Sequence, residues 1–213
     1  MTGGPLRFTG IRGMIARRMQ ESLAETAQLS FFADADVQPM IAAREAWKSA
    51  GQKIGIEDLV IHALARVVKA HPLLNAHEVD GEVVPQPRVN VGVAIAIPDA
   101  LVVPCVFDCD RKGIAEIALE RASLVERAPR NRLTVTEMSG GTITITNLGQ
   151  TRVRHFTPIL ARPQTAIVGL GRITQAGEMG LSLTVDHRAV DGWPAGLFLT
   201  DLCEALEGAH PLP

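Results

Sequence analysis

The chain predicts a single domain of mixed α/β class, and three observations carry that reading. Leu181 to Val185, LSLTV, sets Leu, Leu and Val against hydroxyls, the period-2 pattern of a strand with unlike faces. Val91–Ile97 and Leu101–Phe107 are nearly continuous apolar runs separated by Pro98, Asp99 and Ala100, which reads as an antiparallel hairpin in a central position of a sheet. Several other segments place apolar residues at helical spacing instead. With 213 residues, 46% of them hydrophobic, the chain is long enough to bury one substantial core.

Taken in order, the first helix is predicted over Ile11–Ala27, with Ile11, Ile15, Met19 and Leu23 on one stripe and Arg12, Arg17, Arg18 and Glu21 off it. A solvated helix face accounts for most such arginines. Ser30–Val37 alternates as a strand in which Phe31 and Phe32 are expected to be core. Pro39 opens a helix that runs to about Ala50. Ile56–Ala70 follows a helical period, ended by His71-Pro72, with His62 off the stripe and expected at the surface. Beyond the central hairpin, Ile114 to about Ala128 presents Ile114, Ile117, Ala118, Leu124, Val125 and Ala128 to the core. Thr142, Thr144 and Thr146 face one way along the next strand and Ile143 and Ile145 the other. Gln164–Thr174 is a buried strand, Gly177 turns it into the strand ending at His187, and Pro194–Leu206 is a closing helix striped by Leu197, Phe198, Leu202 and Leu206.

Composition excludes several classes of function. Lys plus Arg number 21 against 23 Asp plus Glu, a net charge of -2 that offers no general basic surface for nucleic acid. No apolar run approaches a membrane span and no secretory segment follows MTGGPLRF, so a cytoplasmic protein is expected. Cys105, Cys109 and Cys203 are too few and too irregular for a disulfide framework; Cys105 and Cys109 are not spaced for a redox or zinc site and are expected to be buried small hydrophobes. The glycines around Gly140, Gly149, Gly169 and Gly171 match neither a GxGxxG nor a GxxxxGK[ST] phosphate cradle, and Thr146 is not in a GxSxG elbow.

The chemistry concentrates at the end of the LSLTV strand. Asp186, His187, Arg188 and Asp191, followed by Gly192, crowd four ionisable groups into six positions where the chain must turn. Only His187 among them has an ordinary pKa near neutrality, so it alone readily takes and returns a proton. A loop salt-bridge cluster would use the same residue types without chemistry, and the order of residues separates the two. His187, Arg188, Asp191 and Gly192 form an H-R-x-x-D-G run that resembles the signature of the acyltransferase (E2) component of 2-oxoacid dehydrogenase complexes, whose fold is shared with chloramphenicol acetyltransferase. GIRGMIARRM at Gly10–Met19, NVGVAIAIPDALVVP at Asn90–Pro104, GGTITITNLG at Gly140–Gly149 and the stretch from Pro158 to Gly171 extend the likeness collinearly over about residues 5–207.

That resemblance implies a two-layer α/β sandwich with a mixed, mostly antiparallel sheet and helices on one side, the coenzyme A-dependent acyltransferase fold. It implies transfer of an acyl group between coenzyme A and the dihydrolipoamide presented by a lipoyl-bearing protein, with 2-oxoacid dehydrogenase and dihydrolipoamide dehydrogenase components as partners. His187 would be the general base and Thr146 the donor to the oxyanion, where relatives resemble serine. Asp191 would fix the loop by pairing with Arg17 or Arg18, and Asn147 and Gly192 would flank the substrate. The active site would lie between the subunits of a trimer, His187 of one chain facing Thr146 of the next. No metal is implied. The chain is expected to be one catalytic domain without lipoyl or subunit-binding domains, either trimmed or naturally stand-alone, and its HPLP end to be a weak anchor for docking into a larger core. A non-catalytic core or scaffold protein and a small-molecule acetyltransferase of the chloramphenicol type are the alternatives left open.

Overall fold

A computed structural model describes residues 7–98 and 100–208. Its elements are α1 (Gly10–Glu25), β1 (Gln28–Asp36), α2 (Gln38–Ser49), α3 (Ile56–Val67), β2 (Ala76–Val79), β3 (Glu82–Pro85), β4 (Val91–Val93), β5 (Ile95–Ile97), β6 (Ala100–Val102), β7 (Cys105–Val106), α4 (Ile114–Arg127), α5 (Val135–Ser139), β8 (Ile143–Asn147), β9 (Ala166–Ile173), β10 (Glu178–Asp186) and α6 (Gly192–Leu206). Asp99 in the predicted hairpin turn and the HPLP end lie outside the described residues.

Six strands form the main sheet in the order β1-β10-β9-β8-β4-β7. Pairing is antiparallel at β1–β10, β10–β9 and β4–β7 and parallel at β9–β8 and β8–β4, so the sheet is mixed and mostly antiparallel. Alternation decides its faces. Leu181, Leu183 and Val185 point with Ala166, Val168, Ile143 and Ile145 into one core that α3, α4 and α6 cover. Their burial is nearly complete, and each such side chain contributes about 1.5–3 kcal/mol on leaving water.

The hydroxyl face is buried as well, beneath the connection from β8 to β9. Ser30 and Thr184 share a 2.7 Å hydrogen bond, Thr144 donates to Gln164 Oε1 at 2.7 Å, and Ser182 Oγ accepts from the backbone N–H of Phe156. The connection lies so close that a Cβ on Gly169 would meet the Phe156 ring at 2.8 Å, and one on Gly171 or Gly180 would collide with the Arg154 carbonyl. These glycines therefore serve close backbone approach, which is the reason the run resembles no phosphate cradle.

Several expectations need correction. The hairpin is antiparallel throughout, but only its outer halves, β4 and β7, join the main sheet, β7 at the edge, while β5 and β6 form a separate ribbon. The ladders part where Val93 donates to the Pro104 carbonyl and Ala94 turns instead to Ile145, a break that suits a proline lacking an N–H. His62 is fully buried, because α3 is enclosed from Asp58 to Ala65 rather than along one stripe. Val125 and Leu197 are exposed, as is Phe32, which sits on the hydroxyl face against His155. Helix α1 buries only Ser22, and Ile11 and Leu23 of its predicted stripe are exposed. The cysteines are buried, Cys105 and Cys109 as expected, and burial pushes the thiols of Cys105 and Cys203 up to about 11 and of Cys109 to about 12.

The hairpin of β2 and β3 has no counterpart among the predicted elements. Its turn is Asp80-Gly81, both with positive φ, the type I′ geometry that a D-G pair between apolar runs supplies.

Candidate active site

Strand β10 delivers His187 to one end of the sheet, where the chain turns into α6. The two neighbours of His187 fasten that turn. Asp186, almost fully buried, accepts from Arg188 Nε at 3.0 Å, Arg188 Nη2 at 2.6 Å and the backbone N–H of Arg188 at 3.1 Å. It also accepts from the N–H of Ala27 at 3.3 Å, and the N–H of His187 donates to the Ala27 carbonyl at 2.8 Å. Burial pushes the Asp186 carboxyl up, but the Arg188 hydrogen bonds and charge outweigh it and hold the group below its ordinary range. Arg188 is raised in turn, chiefly by its hydrogen bonds to Asp186. The cluster is thus permanently ionic, and His187 emerges from it half-exposed.

Asp191 lies one helical step beyond, with Oδ1 at 3.7 Å from His187 Nδ1. Its side chain is 86% exposed, so water solvates it and no buried partner is demanded. Neither Arg17 nor Arg18 pairs with it among the described residues, and both are exposed on α1. Gly192 is the first residue of α6, close to the Phe31 ring.

Thr146 sits elsewhere. The register aligns it with Gly169 and Ser182, midway along β10, whereas Asp186 aligns with Gln28 and bonds Thr165, so His187 stands just past the end of β10 and Thr146 near the far end of the shorter β8. Strand geometry places them about 16 Å apart along the strands and about 10 Å apart across them. Thr142 and Thr144 are buried with side-chain acceptors in Asn75 and Gln164. Thr146 is half-exposed and its hydroxyl has no partner among the described residues. Asn147 points to the opposite face, where its Oδ1 accepts from Gly149 at 2.7 Å and its Nδ2 lies 3.5 Å from Glu57 Oε1. There the ends of β4 and β8 border a cleft of about 330 Å³ lined by Glu57, Arg121, Asn147, Gln150 and Thr151. Burial raises the Glu57 carboxyl against the opposing pull of Arg121.

Residues 5–212 match the family model of the catalytic domain of the 2-oxoacid dehydrogenase acyltransferases. The chain belongs to that family. It is 36% identical, over 93% of its length, to the dihydrolipoyllysine-residue acetyltransferase component of the acetoin cleaving system of Bacillus subtilis, 54% of which is covered. The chain spans about half the length of the curated relatives it matches. Among solved structures, Azotobacter vinelandii dihydrolipoamide acetyltransferase superposes with a TM-score of 0.91 at 28% identity, covering 98% of this chain and 93% of that one. That structure accompanied an enzymatic investigation of a serine, a histidine and an asparagine in its catalytic mechanism, the last two four positions apart. The same spacing separates His187 from Asp191. Chloramphenicol acetyltransferase, at 18% identity and a TM-score of 0.60 over 94% of this chain and 99% of that one, shares the fold.

Membership in the acyltransferase family bears out the fold read from the sequence. Of the named residues, the structure brings Asp191 and Gly192 to His187, and Asn147 to Thr146, but keeps these two groups apart. Sequence reasoning missed Asp186 and Arg188 as a clamp, and it missed the ties from Ala27 and Glu78. The D-H-R order was available as a signal for the first pair; nothing local marks the others, which come from 100 or more residues away.

Proposed function

We propose that the chain transfers an acyl group between coenzyme A and dihydrolipoamide, as the catalytic domain of an E2-type core of a 2-oxoacid dehydrogenase complex. The observation that carries this reading is the separation of His187 from Thr146. Each chain offers a fastened, half-exposed imidazole at one end of its sheet and an unpartnered hydroxyl at the other. Two copies set end against end close one site, and a cyclic trimer closes three. The exposed stripe of α1 supports burial against another copy.

The chemistry follows from the groups each end supplies. A thiol with a pKa of about 8.5 is mostly protonated at neutral pH, so a base is needed at the moment of attack. His187 accepts the proton of the coenzyme A thiol, and the sulfur attacks the carbonyl carbon of the acyl-dihydrolipoamide thioester. The carbonyl electron pair moves onto oxygen, where the Thr146 hydroxyl of the neighbouring copy donates a hydrogen bond. Collapse restores the carbonyl, breaks the bond to the dihydrolipoyl sulfur, and the imidazolium returns its proton to that leaving thiol. The reverse direction uses the same steps. Asp191 serves the loop rather than the proton, and Arg17, Arg18, Asn147 and Gly192 border the substrates. The residues supply no metal role in this scheme. The threonine methyl in place of a hydrogen narrows the acyl groups admitted.

The proposed setting is cytoplasmic, in keeping with three unpaired thiols, and the proposed partners are a lipoyl-bearing protein with its 2-oxoacid dehydrogenase and dihydrolipoamide dehydrogenase. Acyl exchange between acyl-coenzyme A and dihydrolipoamide tests the activity, and His187→Ala should lower its turnover about 1,000-fold. A variant as fast as the parent would remove His187 from the mechanism. Light scattering should give a main species of about three times the 22.8 kDa chain mass. A fully active monomer would overturn the shared site.

A further inference from the structure

A chain of alternating charges leads away from the His187 turn to segments distant from it in sequence. Arg188 Nη2, which binds Asp186, also reaches Glu78 Oε2 at 3.3 Å. The same carboxylate oxygen lies 3.4 Å from Arg162 Nη2, and Arg162 pairs through its other nitrogen with Glu25 at the end of α1. Four segments distant in sequence are joined: the C-terminus of α1, the β2–β3 hairpin, the connection before β9 and the H-R-x-x-D-G turn.

Glu78 is the centre of this ladder, and it is itself fixed. Its Oε1 accepts from the Gly81 N–H at 2.9 Å within the D-G turn, and its backbone N–H donates to the Pro163 carbonyl at 2.8 Å. Only 13% of its side chain is exposed. The Gly81 hydrogen bond first, and then the two arginines, hold the carboxyl below its ordinary range, so it is charged whenever the enzyme works. Surface ion pairs contribute little singly, but a carboxylate shared by two guanidinia on a rigid turn limits where each can go.

We propose that Glu78 is a positioning residue for acyl transfer, acting through Arg188 and Asp186 to hold the backbone that carries His187. This rests on the reading of His187 as the base. The imidazole must meet a thiol bound against another copy, so its backbone has to be held without help from substrate. Asp186 is already fixed by its place at the end of β10 and by Ala27, and Glu78 fixes the far side of the Arg188 guanidinium by tying it to the hairpin, so the clamp across the turn is held from both sides. Small misplacements of a base cost rate rather than affinity, up to about 100-fold for 1 Å.

The test uses Glu78→Gln, which keeps shape and the Gly81 hydrogen bond while removing the charge, assayed in the assembled enzyme beside His187→Ala. Turnover should fall about fivefold to tenfold, with KM for acyl-coenzyme A and for dihydrolipoamide within about twofold of the parent and the melting temperature within a few degrees. In an Arg188→Gln background the same change should alter turnover less than about twofold, because its route to His187 is already cut. Parent turnover in Glu78→Gln overturns the proposal and leaves the acyl-transfer reading standing. A loss shared equally between turnover and KM, a melting temperature lowered by ten degrees or more, or full additivity with Arg188→Gln also overturns it in favour of a packing role. A parent protein without acyl transfer overturns both readings.

Discussion

At one end of the sheet the turn after β10 is held by its own Arg188, and by Glu78 and the backbone of Ala27, which reach in from other parts of the same chain. At the other end Thr146 follows two threonines that are fully engaged, yet its own hydroxyl is unpartnered and half-exposed. The fold thus fastens the backbone of His187 and leaves the Thr146 hydroxyl open. General-base catalysis requires a directed lone pair, which needs a fixed backbone, whereas a hydroxyl donor can rotate to its oxygen if it has no competing acceptor. The contrast suits the two roles proposed for these residues.

The largest test of this contrast falls on the open end. Thr146→Val removes the donor while keeping volume, and turnover should drop about 100-fold or more with acyl-thioester binding nearly unchanged. Steady-state turnover and KM measured together check it. Equal losses in both would mean that Thr146 is packing, and parent turnover would place the donor elsewhere.

A smaller effect tests whether the two ends belong to one site. Chains carrying only His187→Ala and chains carrying only Thr146→Val are each impaired, but coexpressed in equal amounts they should assemble sites that take His187 from one and Thr146 from the other. Random pairing makes about one site in four intact, so the mixture should recover roughly a quarter of parent turnover. Recovery no greater than the average of the two variants would put both groups within one chain's site, against the register that separates them.

The same contrast explains what was legible beforehand. Strands β8, β9 and β10 and the turn at His187 were readable because local alternation and a local motif define them. The stripes on α1 and α6 were legible as apolar, and Ile11, Leu23 and Leu197 on them are exposed, because periodicity reports that a face is apolar and not which molecule covers it. Phe32 failed for a related reason, since alternation assigned it to a face whose cover comes from the connection before β9. The pairing of Asp191 with Arg17 or Arg18 was drawn from a buried aspartate, whereas in the single chain its side chain is 86% exposed and neither arginine pairs with it among the described residues. Glu78 was invisible because its meaning lies in contacts across 84 and 110 residues. The D-G turn that carries it was readable and went unread.

The last prediction leaves turnover at neutral pH unchanged and separates failure of the site from failure of the fold. Both ends of the sheet stand on a helical layer in which His62 is fully buried with neither ring nitrogen partnered. Burial, reinforced by the nearby Arg66 charge, lowers its pKa to about 4 from the ordinary 6.5. The folded protein therefore keeps this imidazole neutral where the unfolded chain would bind a proton. The stability it allows is fully present above pH 6.5 and is lost progressively as pH falls from 6.5 to the folded-state value of about 4, a difference of up to about 3 kcal/mol. His62→Leu removes the titration from the core. Urea unfolding at pH 7 and pH 4.5 should show that the parent loses about 2 to 3 kcal/mol more than the variant between the two values, while turnover at pH 7 is the same in both. An identical stability loss would mean that His62 finds a partner in solution, and a changed turnover at pH 7 would mean that the substitution had disturbed the fold beneath the site.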